Sequence, residues 1–258
     1  MNGQLIKRFF DDKYPIDLAY EWDNVGLQVG TLNKEIKSIL ISLDLTKEVL
    51  DEAIKLKVNL IITHHPLVFK PLYNILTDSY KGRLIETLIK HDIALYVSHT
   101  NYDLGHSGMN QVLADLLDLK NQRPLEMVTP TNGIGKIGEI KPLPMNEAIT
   151  YIKEKLNMKN ARLISKNANK KVKTIAISGG SGSSHMFAAK KEGADLYVTG
   201  DISYHNAHDM LQMGLNALDI GHYAEKNFKK ALKQELIDAE IDCPIYESSI
   251  DLDPFKYV

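Results

Sequence analysis

The 258-residue chain has a single cysteine, a single tryptophan and little excess of charge of either sign. A lone thiol, Cys243, can neither close an intramolecular disulfide nor build a thiolate metal cluster, and it fits a reducing compartment, with the cytoplasm as the default. Its apolar-rich setting before Pro244 reads as a small packing position, not a nucleophile. Apolar runs such as Leu60 to Ile62 fall far short of the roughly 20 residues that a transmembrane helix needs. The opening MNGQLIKRFFDDKYPID also lacks an apolar stretch of signal-peptide length, so a chain neither secreted nor embedded in a membrane is expected. With 31 Lys+Arg against 33 Asp+Glu, the formal net charge of -2 lacks the electrostatic footprint of a protein that mainly grips nucleic-acid phosphates. At 44% hydrophobic and 25% charged residues, the composition excludes disordered, collagen-like and mucin-like architectures.

What is present is a rhythm. Short β-rich runs alternate with helical patterns almost throughout, which predicts an α/β layer architecture with largely parallel or mixed sheets. Strands are expected at Ser38 to Leu45, Asn59 to Thr63 and Ile93 to Ser98, with helices at Lys47 to Lys57, Gly82 to His91 and Met109 to Leu117. Residues 121–136 hold two Pro and two Gly with little periodicity and read as a linker. A first half over 1–120 and a second over 137–258 are therefore expected. The second carries strands at Ile137 to Ile140, Arg162 to Ser165, Val172 to Ser178, Leu196 to Thr199, Ala217 to Ile220 and Pro244 to Glu247. Helices are expected between them at Met145 to Leu156, Ser184 to Glu192, His205 to Met213 and Tyr223 to Ala239. No residue-level repeat relates the halves.

The most informative segment is Asn59-Leu-Ile-Ile-Thr-His64-His65-Pro66, an apolar strand ending in adjacent histidines. Ligands of open α/β sheets collect at the carboxyl ends of strands, and Pro66 biases His65 towards extended backbone. Neighbouring side chains of an extended chain point apart, which suits two histidines serving two different metal ions; a surface or capping pair is the alternative. The strand Ile93 to Ser98 likewise runs into His99-Thr-Asn-Tyr-Asp103. Asp103 is a candidate carboxylate ligand or a helix cap. His99 reads as a ligand, a packed residue or, above these, a hydrogen-bond partner behind the ligands. A third strand, Ala217 to Ile220, ends in Gly221-His222-Tyr-Ala-Glu225. If His222 and Glu225 share the first turn of a helix, their spacing puts both on one face; a dipole or capping role for Glu225 is the alternative.

Three strands delivering imidazole or carboxylate at the same kind of end form a joint pattern. Mixed nitrogen and oxygen donors suit Zn, Mn, Fe, Co or Ni over Ca. Five side chains are too many for one catalytic zinc and too few to close two shells. A bridging carboxylate with exchangeable water would fill the deficit, and Glu225 is the expected bridge.

These segments, with Glu21-Trp-Asp-Asn-Val-Gly-Leu-Gln-Val-Gly30, strongly resemble the NGG-interacting-factor-three-like family of dinuclear metal-centre proteins, also called GTP cyclohydrolase one type two-like. The match spans the whole chain. The signatures EWDNVGL, THHP, HTNxD, YVTGD and GHxxEK occur in order at Glu21 to Leu27, Thr63 to Pro66, His99 to Asp103, Tyr197 to Asp201 and Gly221 to Lys226. By that resemblance the ligands of two divalent ions are His64, His65, Asp103, His222 and Glu225. The resemblance also implies two interlocking α/β domains with the metal site between them, assembled as a toroidal homohexamer. Some relatives carry a domain inserted between the halves; Leu119 to Lys136 leaves no room for one, so the short form is expected.

Four further segments bear on function. Ser178-Gly-Gly-Ser-Gly-Ser-Ser184 follows a strand and precedes a helix, so its amides could receive a phosphate, although the spacing is neither GxGxxG nor a P-loop and a plain glycine-rich turn is as good a reading. In Thr199-Gly-Asp-Ile-Ser-Tyr-His205-Asn-Ala-His208, His205 is the candidate catalytic acid or base and His208 a weaker one; both could instead be surface or subunit-contact histidines. Asp201 could support a ligand or cap the helix. The lysines from Lys166 to Lys173 lack interleaved aromatics and read as a solvated loop. Trp22 reads as packing that fixes the WDN loop, though proximity to the cleft is a second option.

The leading expectation is a dinuclear metal-dependent hydrolase that activates water near neutral pH, acting on GTP in a cyclohydrolase-like ring opening or on another nucleotide or phosphoester. The rival is a hexameric metal-binding regulatory or interaction protein without catalysis, for which the near-neutral charge disfavours nucleic acid as partner.

Overall fold

Four-residue runs such as Ile39–Ser42, Leu60–Thr63, Ala94–Val97 and Leu196–Thr199 are buried throughout, as strands covered on both faces are, and the computed structural model, which describes residues 1–256, places them at the centres of two mixed sheets. The described residues form two compact units: one of Met1–Tyr102 and Phe228–Leu252, the other of Asp103–Asn227 and residues 253–256.

The first unit carries α1 (Gln4–Lys13), β1 (Gly26–Val29), β2 (Ile39–Ser42), α2 (Lys47–Lys55), β3 (Leu60–Thr63), α3 (Tyr80–Lys90) and β4 (Ala94–Val97). Its sheet has the order β1-β4-β3-β2-β11, where β11 is Ile245–Glu247. β4, β3, β2 and β11 run parallel and β1 closes the edge antiparallel. Val49, Leu50 and Ala53 of α2 and Leu84, Ile85 and Leu88 of α3 bury against Leu40, Ile61 and Leu95, alternate residues of three strands. The opposite face takes Tyr96, whose ring stacks on Phe10 of α1 at 4.5 Å. Thr46 and Ser79 cap α2 and α3 by accepting from Val49 N and Gly82 N.

Between β4 and the next sheet come α4 (Thr100–Leu104) and α5 (Met109–Leu116). The second unit then holds β5 (Lys120–Met127), β6 (Gly133–Pro144), α6 (Met145–Lys155), β7 (Arg162–Ile164), β8 (Lys171–Ile177), α7 (Met186–Lys191), β9 (Leu196–Thr199), α8 (Tyr204–Met213) and β10 (Ala217–Asp219). Its sheet order is β5-β6-β8-β9-β10-β7, with β8, β9 and β10 mutually parallel and the remaining pairs antiparallel.

Two expectations differ from this arrangement. Residues 121–136, read as a linker, are the antiparallel hairpin of β5 and β6; of the residues that masked their periodicity, Pro124 sits on the outer strand β5 and Pro130 in the turn, where a missing amide is tolerated, and Gly133 and Gly135 open β6. The carboxy-terminal stretch, expected with the second half, divides: α9 (Phe228–Asp238) and β11 belong to the first unit. β11 pairs with β2 from Ile245↔Ile39 to Glu247↔Ile41, and Phe228, Leu232 and Leu236 bury one face of α9.

Candidate metal centre

In the first unit the site begins where β3 and β4 end. The chain leaves β3 after Thr63, whose hydroxyl donates to the His65 carbonyl at 2.9 Å, and the turn brings the two imidazoles together. Their ring centroids lie 5.2 Å apart, and each is within 5.6 Å of the His99 ring. The expectation that His64 and His65 diverge holds only for a strand that continues; this one stops. His64, His65 and His99 offer one nitrogen each within 4.8 Å of one another.

Every one of these rings is fixed by its Nδ1. His64, fully buried, donates Nδ1–H to the Ser98 carbonyl at 2.8 Å. A carbonyl can only accept, so neutral His64 carries its proton on Nδ1 and a lone pair on Nε2. His65 places Nδ1 2.9 Å from Asp44, and His99 places Nδ1 2.9 Å from Asp23. Hydrogen bonding of the rear nitrogen to a carbonyl or carboxylate is how metal-binding imidazoles are oriented and made more basic. Burial alone would raise the Asp23 carboxyl, but hydrogen bonds from His99 and Thr100, with the imidazole's attraction, bring it down to about 2. Asp44 follows the apolar run Ile39–Ser42, so the rule that sites gather at strand ends would have found it; the Ser98 carbonyl carries no sequence signal at all.

The second unit repeats the design. His222 puts Nδ1 2.7 Å from Asp201 and Nε2 3.1 Å from Glu225 Oε2. Of the two readings of Asp201, the structure shows contact with His222; Ser203 is the residue that caps α8. The segment His222–Asn227 is a 3-10 helix before α9, not the first turn of an α-helix. In that tighter winding residues three apart eclipse, so the expected shared face becomes a direct contact. An Asp103 carboxylate oxygen also lies within 4.8 Å of one on Glu225, which is 3% exposed.

The glycine loop serves this carboxylate. A Cβ on Gly179 or on Gly180 would sit 2.9 Å from Glu225 Oε1, so the backbone approaches the side chain only because both residues are glycine. Gly179 N donates to Asn110 Oδ1 and Gly182 N to Thr199 Oγ1, so two amides that a phosphate would need are engaged inside the fold. Asn110, buried and missed by sequence reading, also donates to the Asp103 carbonyl, tying the Asp103 turn to the loop beneath Glu225. His205 and His208 sit exposed on α8 against the Tyr204 ring, at 5.4 and 4.6 Å. Cys243 is half-buried, and burial pushes its thiol up, away from nucleophilic use.

Such donor sets, imidazoles anchored from behind and carboxylates at the ends of strands, one of them the buried Glu225, define an α/β protein with candidate transition-metal ligands on each of two units. The chain belongs to the family Duf34/NIF3 (NGG1p interacting factor 3), which matches residues 1–254. It is 39% identical over 261 residues to the GTP cyclohydrolase 1 type 2 homolog of Clostridium perfringens, covering 98% of each chain. It is 30% identical to the protein of the same name in Bacillus subtilis, covering 100% of this chain and 99% of that one over an alignment of 370 residues. That alignment is longer than this chain, so the Bacillus protein carries internal segments that this short form lacks. The crystal structure of a Staphylococcus aureus hypothetical protein superimposes with a TM-score of 0.94 at 34% identity, covering 100% of this chain and 99% of that one. Among the described residues no helix is long and apolar enough to cross a membrane.

Proposed function

We propose that the chain is a metal-dependent hydrolase whose two divalent ions would be held by His64, His65, Asp103, His222 and Glu225, with Glu225 as the ligand they would share. The observation that carries this reading is the rear anchoring of the imidazoles: His64, His65 and His222 each present Nε2 because Ser98, Asp44 and Asp201 hold Nδ1. The mixed nitrogen and oxygen set fits Zn, Mn, Fe, Co or Ni. Ions bound there would acidify a water and polarise the bond to be cleaved.

The chain's own residues do the rest. The buried Glu225 carboxylate, backed by Gly179 and Gly180, is fixed beside His222 Nε2. His205, in the first turn of α8 and four residues beyond Asp201, is the candidate proton carrier for the leaving group. Relatives named GTP cyclohydrolase 1 type 2 homolog support a nucleotide substrate, with opening of the guanine ring as the specific form and another phosphoester as the wider one. A ring of six copies in the cytoplasm completes the proposal.

Metal analysis of the purified protein, with a hydrolysis screen over nucleotides, tests it. Two equivalents of transition metal and turnover are expected, with both lost in Glu225→Ala. His205→Ala should keep its metal while kcat falls about 100-fold or more. Full metal content in Glu225→Ala would remove that residue from the ligand set; bound metal with no turnover on any nucleotide would favour a binding protein instead.

A further inference from the structure

Trp22 is the chain's only tryptophan, and at 58% exposed it contributes little to the core. Of the two readings of Trp22, packing that fixes the WDN loop and proximity to the cleft, the structure puts the exposed indole 6.3 Å from the His99 ring, held out by the loop. Asp23 accepts from His99 Nδ1, Thr100 N and Thr100 Oγ1 at 2.6–3.1 Å. Asn24 Nδ2 and Gln28 Nε2 both donate to the Val68 carbonyl, and Val68 N donates back to Gln28 Oε1. These bonds pin the loop bearing Trp22 to the loop bearing Phe69, itself 39% exposed.

The result is a fixed aromatic corner. Tyr20 stacks on Trp22 with centroids 5.5 Å apart and planes 18° apart, which covers one face of the indole. Phe69 stands 5.8 Å from Trp22 at 58°, as a wall. Both rings border His99, at 6.3 and 6.5 Å, so the corner opens beside the three-histidine cluster. A fixed pair of exposed rings suits a flat ligand, since rigid placement removes the ordering cost of binding.

We propose that Trp22 and Phe69 form a stacking site for the flat heteroaromatic base of a nucleoside or nucleotide, with Trp22 as floor, Phe69 as wall and the base edge turned towards His99. The corner favours a planar ligand because both Trp22 and Phe69 are partly exposed rings tilted 58° to one another, and its place beside the His99 imidazole sets the base next to the candidate metal ligands. The choice of nucleotides among planar ligands rests on the hydrolase reading above; the stacking geometry does not.

Because no other tryptophan competes, Trp22 fluorescence reports occupancy directly. On the full-length protein as purified, guanosine should quench it saturably and ribose 5-phosphate should leave it unchanged. By equilibrium dialysis, Trp22→Ala and Phe69→Ala should each weaken guanosine binding about tenfold, as loss of one base-stacking partner does, while Trp22→Tyr stays within about threefold of the parent, since a phenol ring can still stack. Unchanged guanosine affinity in both alanine variants, or equal binding of ribose 5-phosphate, overturns the proposal. So does an indole already shielded from acrylamide, which would show the corner covered by another copy of the chain. Base-dependent binding without metal or turnover would leave this site standing and sink the hydrolase reading; turnover without dependence on Trp22 would do the reverse.

Discussion

Asp201 lies 2.7 Å from His222 Nδ1 and reaches it from a backbone in the left-handed region, φ +53°. A non-glycine residue held there is strained by about 1–3 kcal/mol, and it is the Asp201 turn, after β9, that directs the carboxylate at the imidazole on the neighbouring strand end. Removing that carboxylate in Asp201→Ala should lower transition-metal affinity about 10- to 100-fold. Asp201→Asn keeps an oxygen that can accept from Nδ1–H and should lose less. Chelator competition measures both; equal affinity in the alanine variant would show that His222 needs no anchor.

Gly180 adopts φ +57°, and its α-carbon faces Glu225. Gly180→Ala meets two penalties: a left-handed alanine, costing about 1–2 kcal/mol, and a methyl 2.9 Å from Glu225 Oε1. Gly179→Ala meets the same carboxylate oxygen without the backbone penalty. Urea unfolding should therefore show Gly180→Ala destabilised by more than Gly179→Ala, whereas both should bind metal more weakly than the parent. Normal metal binding in both would mean that Glu225 tolerates displacement and does not hold an ion.

How much of this was legible follows from where each signal resides. The strand ends were, because a run such as Leu60-Ile-Ile-Thr-His-His switches from apolar to polar within one residue, and burial on both faces enforces that switch. β9 was read to the residue for the same reason. Helix α1 was missed although Ile6, Phe9 and Phe10 line one face, since three charged residues crowd its end. The β5–β6 hairpin was missed because its pairing partners, not its own pattern, make it a strand. Within the site, the five ligand candidates were legible as residue types at strand ends. The groups that aim them, the Ser98 carbonyl, Asn110 and the Gly179 backbone, act through main-chain atoms or a single amide whose role exists only after the chain has folded.

Asp23 links stability to pH with a definite sign. Its folded carboxyl is brought down to about 2, below the ordinary aspartate value, so the folded state holds the charged form more tightly than the unfolded state does. A depressed acid contributes stability that is fully present above the unfolded value and is lost as pH falls through the folded one. The side chain is fully buried, and the shift corresponds to about 2 kcal/mol. Asp23→Asn should therefore be less stable than the parent by about that amount at neutral pH, and the gap should close as pH drops from 4 towards 2, where the parent's own carboxyl takes up its proton. The same variant should broaden or shift the His99 imidazole signals in NMR spectra, since Nδ1 loses its carboxylate. A stability gap that stays constant across this acid range would show that Asp23 acts through packing and not through its charge.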